Sequence, residues 1–175
     1  MTANPSVGTP VNRYLISIVA AALVLGTGSA AAATPPHDHR HSTITLSVLG
    51  TYHTDVFDTS AAEIVAHDPK TQRLFVVNAA AAQVEVLDIA DPAAPELAFT
   101  LRTADAVGDP DAVANSVAVR RDGLVAVAVE AGTKTDPGWV VFYNTRGRPR
   151  GVVPVGPLPD MLTFTPDGRT VLVAN

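Results

Sequence analysis

Three stretches of this sequence repeat one pattern: an apolar strand, a turn containing aspartate, a second apolar strand and a closing polar residue. They are EIVAHDPKTQRLFVVNA (63–79), SVAVRRDGLVAVAVEA (116–131) and LPDMLTFTPDGRTVLVAN (158–175). In the last of these, Met161 to Thr165 runs as a strand, Pro166 fixes φ, Gly168 is free to take positive φ, and Thr170 to Val173 resumes the strand. A lone hairpin is marginal in water, so each copy needs neighbours. With Asn78, Glu130 and Asn175 as equivalent ends, the copies lie 52 and 45 residues apart. Such periods suit a four-stranded propeller blade.

Two more strands follow each complete hairpin: QVEVLDI and ELAFTL after the first, GWVVFYN and GVVPV after the second. A four-stranded sheet leaves one face unburied until it stacks on the next blade. The expected fold is therefore all-β: a partial β-propeller with four-stranded blades near 61–101 and 114–155, half of a third at 161–175, and a lone strand at 44–50. Closure takes about four to eight blades, so the chain reads as the N-terminal part of a longer protein. Its terminal blade face and the edge at 171–175 are then expected to be uncovered, favouring self-association. The competing reading is a complete small sandwich of about ten strands.

Residues 1–33 carry one base, Arg13, and no acid; an apolar run from Tyr14 to Leu25 leads into GTGSAAAATPP. This is the pattern of a secretory signal peptide cleaved after Ala33, with a retained membrane anchor as the alternative. Residues 34–43 read as a His/Pro-rich linker in which His37, His39 and His41 are expected to be solvated, with weak chelation of a transition metal as the alternative. The sequence holds no cysteine, which excludes disulfides and thiolate chemistry. After cleavage eleven bases face seventeen acids, a net charge of −6. That balance argues against nucleic acid and anionic membranes as partners. No insertion into a membrane is expected once the signal is removed.

The stretch RLFVVNAAAAQVEVLDI (73–89) resembles the YVTN type of propeller repeat. GTYHTDVFDTSAAEIVAHDPKTQRLFVVNA (50–79) and VGPLPDMLTFTPDG (155–168) resemble the choice-of-anchor I family of exported propeller proteins. Some members of that family are described as alkaline-phosphatase-like, and it is related to mesenchyme-specific cell-surface glycoproteins. The resemblance spans 50–175 and implies a secreted, extracellular or periplasmic protein, with attachment to the cell surface through a C-terminal segment that this chain lacks. It is specific for fold and weak for activity.

Strand direction places the candidate chemistry. The start of a hairpin's first strand and the end of its second share a rim, which pairs Glu63 with Asn78, Asn115 with Glu130, and Asp160 with Asn175. The loops ADAVGDPDAVA (104–114) and GTKTDPG (132–138) leave from the same rim and add Asp105, Asp109, Asp111 and Asp136. Carboxylate and amide oxygens suit Ca²⁺, with Glu63, Asn115 and Asp160 as its ligands. The structural alternative is that the Asn side chains bond the backbone of the following turn. Ser60 and Ser116 have no suitably spaced His, and no G-x-S-x-G or phosphate-binding loop occurs. His53 and His67 read as loop and turn residues. Asp68-Pro69, Asp122-Gly123 and Asp167-Gly168 are turn chemistry on the opposite rim. Two functions remain: a non-catalytic module binding a surface polymer or protein, and a metal-dependent hydrolase acting on a small phosphoester.

Overall fold

A computed structural model describes residues 44–57, 59 and 61–175. The signal-peptide and linker expectations, residues 1–33 and 34–43, lie outside them. Of the chain's two compact units, the second, Thr45–Asn175, carries every element described below.

Ten strands form three antiparallel sheets. The first contains β1 (Val65–Asp68), β2 (Arg73–Asn78), β3 (Gln83–Asp88) and β4 (Glu96–Arg102), hydrogen-bonded in chain order. The second contains β5 (Val113–Val119), β6 (Leu124–Glu130), β7 (Pro137–Asn144) and β8 (Pro149–Pro157), again in chain order. β9 (Met161–Phe164) and β10 (Val171–Ala174) make a two-stranded hairpin. β5 lies against β1 and β2 on one side and β9 on the other. The first strands of successive sheets are thus side by side, as the innermost strands of propeller blades are.

Period-two patterning explains the stacking. In β6, Val125, Val127 and Val129 face the first sheet and join Phe75, Val77, Val84, Val86 and Leu101 in one buried cluster. The alternate residues Ala126 and Ala128 face the hairpin and pack on Leu162, with Phe164, Val171 and Val173 at the margin. β6 is buried on both faces, which is why it reads as an unbroken apolar run. Alanine on the second face leaves room for the hairpin's larger side chains.

The tight turns follow the expected chemistry. Gly123 and Gly168 take φ of 93° and 69°, and Gln72 adopts 51° at the corresponding place in the first hairpin. Each turn is held by its aspartate. Asp68 accepts from the Lys70 amide and the Thr71 hydroxyl, Asp122 from the Leu124 amide at 3.3 Å, and Asp167 from the Arg169 amide at 3.1 Å.

Two details depart from expectation. Residues 44–50 are not a strand: no backbone pairs with them among the described residues, and Ile44, Leu46 and Val48 are exposed. The segment 104–114 is not wholly loop, because Thr103–Val107 forms one short helix, α1. Its C-cap is Gly108 at φ 72°, whose amide donates to the Ala104 carbonyl. On the hairpin's outer side, Met161 and Leu172 are about half exposed, at 50% and 56%.

Candidate functional site: the loop rim

The paired polar residues occupy one rim, and the backbone explains why. Ahead of the start of β1 the pairing continues, the Glu63 amide donating to the Val77 carbonyl at 3.0 Å, which sets Glu63 beside the end of β2. Its carboxylate is exposed and has no hydrogen bond or ion pair among the described residues. Asn78, by contrast, is buried. Its Oδ1 accepts from the Ala81 amide at 3.1 Å, capping the 3-10 turn Ala79–Ala81, and its Nδ2 donates to Glu85 Oε1 at 2.8 Å.

In the second sheet a bulge between Ala114 and Ser116 turns Asn115 toward the neighbouring hairpin. Asn115 Nδ2 donates to Glu130 Oε2 at 3.1 Å and to the Pro159 carbonyl at 3.2 Å. One amide therefore ties the end of β6 to the entry of β9. Glu130 is 8% exposed, and Lys134 Nζ stands 3.6 Å from its Oε1. Asp160, next to Pro159, is exposed; its amide donates to the Ala174 carbonyl at 2.9 Å, so the hairpin brings Asp160 beside Asn175. The Asn175 side chain rests on Gly156, where a Cβ would meet its Cγ at 3.0 Å.

The two rim loops also meet. Asp109 Oδ2 accepts from the Gly132 amide at 2.9 Å while its Oδ1 accepts from the Asp111 amide at 3.0 Å. Gly132 is required here, since a Cβ would lie 2.5 Å from the Asp111 Cβ. Above α1, burial and then the Asp105 charge push the Tyr143 phenol up to about 12, and its hydroxyl has no partner among the described residues.

The geometry joins Asn115 to Glu130 and to the Pro159 carbonyl just ahead of Asp160, and it ties Asn78 to Glu85. No bond links Glu63 to either group among the described residues. Nor, among the described residues, do three His, Asp or Glu side chains gather there in a way that holds a metal ion. Asn115 points its NH₂ inward, which leaves only its Oδ1 as an oxygen donor.

Sequence reasoning missed Glu85. It is 8% exposed and borders a cavity of about 610 Å³ beneath segment 50–57, with Tyr52, His53 and Asp55 on the far wall. Loss of water, then the Glu85 and Asp55 charges, raise the Tyr52 phenol pKa. The signal was an acid in mid-strand, within the apolar alternation of QVEVLDI.

Among solved structures, the chain is similar to Kuenenia stuttgartiensis hydrazine synthase, with a TM-score of 0.50 and 19% identity over 71% of this chain. This is a likeness of fold, and the match covers 32% of that solved chain. No curated protein matches the sequence. The profile of the Choice-of-anchor I domain matches residues 63–175, from the glutamate at the head of the first hairpin to the last residue of the third. The chain accordingly belongs to the choice-of-anchor I family, whose domain marks a surface-associated, extracellular module.

Proposed function

We propose that the chain is a non-catalytic exported binding module whose loop rim engages a surface polymer or protein. The observation that supports this most is the Asn115 bond pair, to Glu130 and to the Pro159 carbonyl, which fixes adjacent sheets at the rim. With the Asp109–Gly132 bond it gives a pre-organised surface from which Glu63, Asp136 and Asp160 project. A rigid face loses little entropy on binding. In this reading residues 1–33 direct export, 34–43 are a spacer, and 44–175 are the binding body.

The hydrolase alternative needs a cation to lower the pKa of water, a base and further ligands. Glu63, Asn115 and Asp160 would be its Ca²⁺ ligands. The test is to assay the full chain on a phosphomonoester and a phosphodiester with Ca²⁺ and with chelator, beside Glu63→Gln and Asp160→Asn. No turnover, together with weaker binding of both variants to isolated cell envelopes, is the expected result. Metal-dependent turnover lost in both variants would replace the binding module by the enzyme.

A further inference from the structure

At the rim opposite the candidate site, the β5–β6 and β9–β10 turns enclose an open groove of about 590 Å³. We infer that this groove binds carboxylates of an acidic polysaccharide through Arg121 and Arg169. The site lies apart from the loop rim and does not depend on what that rim binds.

Arg120 builds the groove. Its Nε and one terminal nitrogen each donate to Asp122 at 2.8 Å, and the other terminal nitrogen donates to the Gly168 carbonyl at 3.0 Å. The guanidinium lies 5.7 Å from the centre of the Phe164 ring. Two turns from different sheets are thereby fixed to each other. Gly168 permits the approach, because a Cβ there would come within 3.0 Å of Arg120 Cδ.

The acids in the groove already have partners. Asp122 is engaged by Arg120, which holds its carboxyl down at about 2. Asp167 accepts from the Thr165 hydroxyl at 2.6 Å and from the Arg169 amide at 3.1 Å. Arg121 and Arg169 remain, one on each wall, exposed and without an ion-pair partner among the described residues.

The cationic line continues across the next turn. Val119, Arg120 and Arg121 also border a second depression shared with His67 and Lys70 of the β1–β2 turn. Lys70, Arg121 and Arg169 therefore stand on three successive turns, a series that matches repeated charges on a polymer. Guanidinium groups pair well with carboxylates. Phe164 and Pro166 add apolar surface against which a sugar ring can lie. The whole chain carries a net charge of −5, so attraction to a polyanion has to be local to this rim.

The test measures binding of an oligogalacturonate to the full chain by calorimetry at low and at physiological salt. Affinity should fall as salt rises, and Arg121→Ala with Arg169→Ala should weaken it about tenfold or more. Both side chains are exposed, so unchanged circular dichroism will show that the variant folds. Asp160→Asn, on the other rim, should leave this binding intact even if envelope binding is lost. No binding by the wild type, equal binding by the double variant, or equal binding of neutral dextran would each overturn the inference. Binding of polyphosphate without binding of oligogalacturonate would overturn the assignment to a sugar acid.

Discussion

The two rims of the stacked sheets are fastened by different chemistry. At the loop rim, carboxylates and amides join neighbouring segments: Asn78 to Glu85, Asn115 to Glu130 and Pro159, Asp109 to Gly132. At the turn rim, arginines do so by reaching backbone carbonyls of the next sheet. Arg73 donates to Thr145 O at 2.7 Å with its guanidinium 5.3 Å from the Phe99 ring centre, and Arg120 donates to Gly168 O beside Phe164. Connection length accounts for the difference. Tight turns use their aspartates to satisfy their own amides, so only long arginine side chains can cross to the next sheet. The longer loops after β4 and β6 have side chains to share.

Both rims stand on one core, and the largest effect should come from removing it. Phe75→Ala is expected to cost about 3–5 kcal/mol in urea unfolding and to loosen both rims together. If one rim kept its amide protection, the sheets would not form a cooperative unit. Asn115→Ala should cost about 1–3 kcal/mol, because it leaves the buried Glu130 carboxylate with Lys134 alone. Hydrogen exchange should then rise at Gly132 and Leu162 but not at the Arg120–Gly168 contact.

The pH dependences are smaller and separate the rims further. Tyr143 has a folded pKa raised to about 12 against an ordinary 10.0. Its contribution is fully present below pH 10.0 and is lost as pH rises toward 12. Tyr143→Phe should flatten the fall in thermal stability across that range. Asp122 has the opposite sign: its pKa is lowered from 3.8 to about 2, so its contribution holds above pH 3.8 and is lost as pH falls through 2. Asp122→Asn should remove that small acid-side slope and leave the loop rim unchanged, as read by Tyr143 titration.

The hairpin repeat and the four, four and two strands of its sheets were legible because each turn carries its own local signal, Asp before Gly or Pro, and each strand its own alternation. Rim partners were legible in part: hairpin direction sets Asn115 near Glu130, although the register pairs Glu130 with Val113 and Asn115 sits in the bulge. Contacts between sheets were not. Asn115 reaching Pro159, and Arg120 reaching Gly168, depend on a bulge and on stacking that no local pattern encodes. Glu85 escaped because Asn78 was read as a rim partner of Glu63, or as a turn residue, and not as a partner of the next strand. The segment 44–50 was read as the outer strand of a closing blade whose partner this chain does not carry, and without a paired backbone its apolar residues form no strand.

Carbodiimide labelling of carboxylates, on the full chain free and then bound to isolated cell envelopes, separates the rims in one experiment. In the free protein, Glu63, Asp136 and Asp160 should label readily while the buried Asp68, Glu85 and Glu130 resist. On binding, protection should appear at Glu63 and Asp160 and leave the exposed Asp91, in the β3–β4 connection, and Glu96, at the start of β4, unchanged. Protection confined to those last two, with Glu63 and Asp160 labelling as before, would contradict the loop rim as the binding face.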